Sequence, residues 1–442
     1  MLYIRSLEIE NVRCFSSKQR IDFTGDDGKI SQWSVILGDN GTGKTSILRS
    51  IVSLLPSPQS FLGKRSHLDT EYDLSINNSW RNAWDLKHKD GEKESKISLT
   101  ILEAEKPFGG NGYEPQMTLS FTTNHKHSSS DNYGQGASKF DTRLFSPVYC
   151  FAYGANRKMA EKSLSDENFR NTSETLFKDD ALLQNSSEYF LRLDYETAKS
   201  RKGSEELKRV KELLLQILPG GVKDIQVVKS GRLQREVQVK TSFGWVKLQE
   251  LSLGYKTTIA WLIDFATKMI YYNEHSKTPF DEPAILILDE IDLHMHPAWQ
   301  REIIENLSNI FTKTQFIVTA HSPLIAQAAL SSNLVLLKRI GDHIKVENTP
   351  DVIRSWRIDQ VLTSDLFGLK ESRPKEIERK ISRRRTLLRK DELTDKQKEE
   401  LKKLNAEIDA MPIGETKAEM DAMDILKDFA KKLEASKHKN HV

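Results

Sequence analysis

Two cysteines in 442 residues, Cys14 and Cys150, are too few for a disulfide framework or a thiolate metal centre. No apolar stretch approaches the length of a membrane span. The most apolar helical run, around Trp261 to Tyr272, carries Asp264 and Lys268. The opening residues, MLYIRSLEIENVRCF, lack the apolar core of a secretory signal. These absences predict a cytoplasmic chain with no membrane partner. Charge imbalance is small as well. Sixty-six Lys and Arg against 63 Asp and Glu give a formal net charge of +3. That neither demands nor excludes nucleic acid, because a local basic patch can sit inside a near-neutral total. No internal repeat is visible. What remains is an ordinary globular composition, 38% hydrophobic and 29% charged, in a chain long enough for two or three domains.

Three short apolar runs stand out: WSVIL, AILIL and QFIVT. With helical segments between them they predict an α/β sheet of parallel strands buried on both faces. LEIENV and RIDF read as strands ahead of the first run, and residues 96–122 as strands broken by the turn cluster KPFGGNGYEP. Residues 124–139 form a polar, Ser- and Gly-rich loop, residues 158–217 are mainly helical, and DIQVVKSGRLQREVQVKT is a hairpin. NLVLLKRIGDHIKVEN reads as a second hairpin. From about Arg373 the sequence becomes two charged amphipathic helices, with a capping-box pattern at Thr394 to Gln397 and a stripe of Leu401, Leu404, Ile408 and Met411. A further helix is expected from about Glu415. The tail reads either as a solvated appendage or as a docking and oligomerisation element.

GDNGTGKT, Gly38 to Thr45, fits G-x-x-x-x-G-K-[ST] between a strand and a helix, the context a phosphate-binding loop requires. Asn40, Gly41, Thr42, Gly43, Lys44, Thr45 and Ser46 are the candidate nucleotide contacts. The glycines let backbone N–H groups approach phosphate oxygens, Lys44 reaches the β- and γ-phosphates, and Thr45 ligates Mg²⁺. AILILDE delivers Asp289 and Glu290 to the carboxyl edge of a buried strand, where a nucleotide binds. Asp289 suits the Mg²⁺ shell, and Glu290 the polarisation of the attacking water. His321, just after QFIVT, is placed to meet the γ-phosphate or that water. His294 and His296 in DLHMHP lack a third ligand at metal spacing, so they are expected to shape the turn before Pro297. In LQELSLGYKTTIAWLIDF, Ser252 and Gly254 stand at a helix mouth. They read either as simple N-capping or as a second anion-binding mouth, which one nucleotide does not need but two nucleotides between two copies would.

The ordered set ENVRCF, GDNGTGKT, LSLGYKT, LILDE, DLHMHP and TAHSP resembles the ABC-type ATPases of the SMC, RecF and OLD lineage over roughly residues 1–350. The resemblance implies an α/β P-loop head with a mixed sheet, ATP and Mg²⁺ as ligands, and nucleotide sandwiched between copies of a homo-oligomer. It makes LSLGYKT the signature motif, with Leu253 and Tyr255 departing from the commonest LSGGQ. Arg13 matches the early phosphate-approaching arginine, Asp292 the D-loop and His321 the switch histidine; no Q-loop glutamine can be assigned. An α+β insertion at about 55–245 without sustained heptads departs from the SMC arms. A tail of charged helices over 351–442 departs from the OLD nuclease. The remaining pattern, with FAYGANRK, SSEYFLRLDYETAK and RIDQVLTSDLFGL, is most similar to the Septu ATPase subunit of anti-phage systems, including its retron-associated form. That likeness implies a separate HNH-type nuclease partner, with nucleic acid or a retron reverse transcriptase as further candidates. Two other functions fit the sequence. One is a RecF-like repair ATPase gripping DNA through surfaces such as SRRRTLLRK; the other is a scaffold that binds ATP and scarcely turns it over.

Overall fold

The apolar runs form strands because turn residues interrupt each within a few positions. The computed structural model describes residues 1–25, 27–55, 94–104, 108, 116–123, 149–161, 172–197, 201–218, 221–230, 235–329, 333–348, 357–364, 367, 369, 374–390 and 393–409. The chain divides into two compact units, Met1–Phe367 and Gly368–Val442. The polar loop at 124–139, Met411 and the helix expected from Glu415 lie outside the described residues.

In the first unit, β1 (Leu2–Glu10) and β2 (Gln19–Asp22) precede β3 (Trp33–Gly38) and helix α1 (Lys44–Leu54). Next come β4 (Ser95–Glu103), β5 (Gln116–Thr123), β6 (Cys150–Tyr153) and β7 (Lys158–Met159). Helix α2 (Glu174–Phe177), β8 (Leu182–Leu183) and helices α3 (Ser186–Thr197) and α4 (Arg201–Ile217) lead to β9 (Asp224–Lys229), β10 (Arg235–Thr241) and β11 (Gly244–Lys247). Helix α5 (Leu253–Tyr272) is followed by β12 (Ala284–Leu288), α6 (Pro297–Ile310), β13 (Thr314–Ala320) and α7 (Pro323–Ala328). The hairpin β14 (Asn333–Ile340) and β15 (His343–Asn348) and helix α8 (Ile358–Thr363) complete the unit. Helix α8 packs on α7 and buries Val361 in the main core, so this unit runs past residue 350. The stretch 158–217 is less uniformly helical than its sequence suggests, since β7 and β8 pair in parallel within it.

Among the described residues the central sheet has the order β15-β14-β3-β13-β12-β6. Every neighbouring pair is parallel except β14 with β15, so the sheet is mixed. Side chains alternate between two cores, as a period of two requires. Val35, Leu37, Leu286, Leu288, Phe316 and Val318 face α5 and α6, while Ile36, Ile285, Ile287 and Ile317 face α1 and the N-terminal sheet. Trp33 stacks on Phe316 with ring centroids 4.1 Å apart. That second sheet is antiparallel, in the order β2-β1-β4-β5. The expected insertion at 55–245 is therefore not one separate body. Strands β4 and β5 finish the sheet begun by β1 and β2, and β6 is the edge of the central sheet.

Helix α5 is apolar nearly all round because it is covered on both sides, by the central sheet and by α3 and α4. Its two buried charges pair with each other. Lys268 Nζ lies 2.7 Å from Asp264 Oδ2, which also accepts from Tyr153 Oη at 2.8 Å. No helix among the described residues is long and apolar enough to cross a membrane.

The second unit contains α9 (Lys375–Leu388) and α10 (Asp395–Asp409), packed as a hairpin. Leu387 and Leu404 are its buried side chains among the described residues, Leu401 and Ile408 are half-buried, and Arg383 grips Glu400 through Nε and Nη2 at 2.7 and 2.9 Å. Thr394 and Gln397 form the reciprocal capping box, with N-to-side-chain distances of 3.1 and 3.4 Å.

Candidate active site

Strand register assembles the site. In the parallel ladders Leu37 pairs with Ala320, Leu288 with Val318, and Leu288 with Tyr153. The residues after β3, β12, β13 and β6 therefore emerge along one rim, the carboxyl edge where open α/β sheets bind ligands. The P-loop, Asp289 and Glu290, His321 and the turn 154–157 meet there.

Gly43 adopts φ 91°, and a Cβ on it would lie 2.6 Å from Cys14 Sγ and 2.7 Å from the Phe15 ring. Only glycine fits that position. The same crowding shows that the loop carrying Arg13 is pressed against the P-loop. Arg13 itself is exposed, with φ 50°. Asn40 and Gly41 are exposed at the loop tip, Thr42 is buried and donates to the Asp39 carbonyl at 2.8 Å, and Ser46 is half-buried in the first turn of α1. Lys44 folds back over the loop, its Nζ donating to the Gly38 and Asp39 carbonyls at 2.7 and 2.9 Å. Burial holds its ammonium below the usual lysine range, against the pull of Asp289 and Glu290.

Asp289 is buried, and both its oxygens are taken. Thr45 Oγ1 donates to Oδ2 at 2.6 Å, and Thr319 Oγ1 donates to Oδ1 at 2.5 Å. The Thr319 hydroxyl accepts in turn from the Glu290 N–H at 2.7 Å. His321 Nε2 lies 4.0 Å from Glu290 Oε1, and each side chain is 34% exposed. The His321 N–H is held by both Asp292 carboxylate oxygens, at 3.1 and 3.3 Å. The hydroxyl of Thr45 beside the carboxylate of Asp289 is an all-oxygen donor pair of the kind a hard divalent cation takes, so these residues fit Mg²⁺. Among the described residues no group of three or more His, Cys, Asp and Glu is arranged to hold a metal. His296 Nδ1 accepts from Ala298 N at 3.3 Å and caps α6, shaping that turn as expected.

Two features of the LSLGYKT stretch escape a sequence reading. Ser252 occupies the N-cap position of α5, yet its hydroxyl makes no capping bond and is exposed, as is Leu253 at 57%. Gly254 is buried, and a Cβ there would fall 2.2 Å from the His294 carbonyl oxygen. Glycine is needed at 254 because the loop after Asp292 crosses it. Tyr255 stacks on Trp299 of α6 at 5.9 Å. Arg157, in the turn after β6, was not singled out from the sequence, where it is one basic residue beyond an apolar strand. It is buried, and its Nη2 donates to the Glu290 carbonyl at 2.6 Å. Burial pulls its guanidinium down to about 10 against the opposing charges of Asp289, Glu290 and Asp292.

Two family models match: "AAA domain, putative AbiEii toxin, Type IV TA system" over residues 148–326, and "AAA domain" over residues 6–221. They meet on the rim just described. Between them the two matches take in the P-loop, Asp289, Glu290 and His321. The chain is similar to "Septu protein PtuA" of Bacillus mycoides (strain KBAB4), at 27% identity over 409 residues, 91% of this chain and 50% of that one. It is also similar to "Retron Ec83 probable ATPase" of Escherichia coli, at 34% over 159 residues, 36% of this chain and 28% of the relative. "Septu protein PtuA" of Bacillus thuringiensis is 33% identical over 145 residues, 31% of this chain and 36% of the relative. The chain thus spans half or less of the length of these relatives. Among solved structures, an SMC head bound to the C-terminal winged-helix domain of ScpA covers 79% of this chain and 98% of its own at 16% identity, with a TM-score of 0.43.

Proposed function

We propose that this chain binds and hydrolyses ATP, that two copies close on the nucleotide, and that the closed state controls a separate effector nuclease in anti-phage defence. The observation that carries the hydrolytic reading is the hydrogen-bonded chain Thr45–Asp289–Thr319–Glu290, with His321 4.0 Å from the Glu290 carboxylate. Thr45 and Asp289 would hold Mg²⁺, which when bound offsets charge on the β- and γ-phosphates. The P-loop N–H groups and Lys44 cradle those phosphates once the ammonium leaves its two carbonyls. Glu290 takes the proton of the attacking water as the water oxygen bonds to the γ-phosphorus, the bond from that phosphorus to the β,γ-bridging oxygen breaks and ADP leaves, while His321 orients the γ-phosphoryl oxygens. Arg13, on the loop beside Gly43, adds positive charge at the phosphate edge.

The sandwich is supported by Ser252, an exposed hydroxyl at the mouth of a long helix that its own cap leaves unspent. Gly254 ties that mouth to the turn that runs from Asp292 to His294, and Asp292 holds the His321 N–H, so a partner's phosphate at Ser252 would be felt at this chain's hydrolytic centre. The defence reading takes up the Septu and retron names of the relatives; the HNH-type nuclease, and a reverse transcriptase or nucleic acid in retron-like settings, come from the motif resemblance of the sequence. Cytoplasmic action goes with it. The head unit at 1–367 would drive closure, and the hairpin of α9 and α10 would serve docking or oligomerisation.

Affinity capture of the Glu290→Gln protein from its native cell with ATP tests the whole reading. A stoichiometric nuclease supports it. Recombination proteins, or chromosomal DNA without a nuclease and with DNA-stimulated phosphate release, would replace it with a repair ATPase. Absence of any phosphate release by the wild-type protein would leave a nucleotide-binding scaffold.

A further inference from the structure

Arg157 is 3% exposed, and its Nε has no partner among the described residues. A buried guanidinium with a donor unspent is costly, so its remaining contact is informative. That contact goes to the backbone of Glu290: Nη2 donates to the carbonyl at 2.6 Å. Glu290 has φ 51°, a left-handed conformation that a non-glycine residue keeps only where its surroundings over-determine it. Those surroundings are identifiable. Thr319 Oγ1 takes the Glu290 N–H at 2.7 Å, and the Leu293 N–H joins Arg157 on the Glu290 carbonyl at 3.1 Å. The residue is clamped at both of its peptide groups, and of these clamps only Arg157 comes from outside β12, the turn that follows it, and β13. It comes from the turn after the edge strand β6, paired with β12 through Tyr153 and Leu288.

We infer that Arg157 is a positioning residue of the hydrolytic centre: by holding the Glu290 carbonyl it fixes the strained backbone that aims the Glu290 carboxylate past His321. It touches neither phosphate nor water, so its removal spares nucleotide binding and slows turnover. This rests on Glu290 being the catalytic carboxylate, as proposed above.

The test compares wild type with Arg157→Met, Arg157→Lys, Glu290→Gln and the double variant Arg157→Met/Glu290→Gln, each checked for folding by circular dichroism. A fluorescent ATP analogue gives Kd, single-turnover phosphate release gives the rate, and a crystal structure of Arg157→Met gives the Glu290 backbone. Arg157→Met should keep Kd within about threefold and lose about tenfold to a hundredfold in rate, the scale of a misplaced catalytic group. Arg157→Lys, which keeps the charge and a donor group but loses the planar fork and some reach, should fall between. The double variant should be no slower than Glu290→Gln, because both changes disable one unit. In the Arg157→Met crystal structure Glu290 should leave the left-handed region.

An unchanged φ, a wild-type rate in Arg157→Met, a Kd loss matching the rate loss, or fully additive slowing would each overturn the inference. Should Arg157→Met not fold, Arg157→Lys decides: a reduced rate at unchanged Kd supports it, and a parallel loss of both overturns it. If Glu290→Gln itself turns over like wild type, the catalytic assignment of Glu290 fails. If Glu290→Gln is slow while Arg157→Met is normal, only the positioning role fails.

Discussion

Replacing Glu290 by Gln keeps the size of the side chain and removes its ability to accept a proton. Its backbone clamps, Thr319 and Arg157, do not involve the carboxylate. The variant should therefore bind ATP normally and release phosphate about a hundredfold slower or more, the usual worth of a positioned general base. Equal rates in a phosphate-release assay would remove Glu290 from that role. Lys44→Ala acts differently. Lys44 is buried at the loop and bonds two of its carbonyls, so its loss opens the cradle as well as removing the charge. Titration with a fluorescent ATP analogue should find binding lost, with the far-UV spectrum unchanged. Lys44, Thr45, Asp289 and Glu290 were legible because each motif packs its chemistry into a few consecutive residues. Arg157 was not. Its value depends on the parallel register that sets Tyr153 beside Leu288, across more than a hundred residues of chain.

Elements show the same division. The strands β3, β12 and β13 announce themselves as unbroken apolar runs, since a strand covered on both faces has no solvent side to mark. The partners of β1 could not be read, because pairing with β4 is decided by burial on one face and not by any local signal. The helix α5 was legible as apolar, but the reason for its glycine was not. Gly254→Ala would push a methyl group toward backbone, the His294 carbonyl, which cannot rotate aside. Stability should fall by about 1–3 kcal/mol, the range for overpacking, and a urea midpoint measures it. Lys268→Met in the same helix leaves Asp264 buried at 1% exposure with Tyr153 as its remaining side-chain hydrogen-bond donor among the described residues. Breaking such a pair costs about 3–5 kcal/mol, so this change should destabilise more than Gly254→Ala does. The reverse order in urea would mean that water or rearrangement relieves the carboxylate.

For the whole molecule, the proposed closure of two copies on ATP is open to a direct check. Ser252 is exposed and its hydroxyl makes no capping bond, so Ser252→Glu should leave the melting temperature unchanged. Placed in the Glu290→Gln protein, it should abolish ATP-dependent dimerisation in light scattering, because a carboxylate at that mouth repels phosphate. A lowered melting temperature would instead mark Ser252 as a structural cap. The position of β3 in the sheet has a further result, for synthesis. Its two neighbours, β13 and β14, lie nearly three hundred residues downstream, and Trp33 waits for Phe316. At about 5–20 residues per second, a nascent chain holds an unpaired P-loop strand for roughly 15–60 seconds before its partners leave the ribosome. On the proposed reading, ATP binding should appear only once β14 has emerged, and a chaperone that shields WSVIL in that interval would set the yield of active protein.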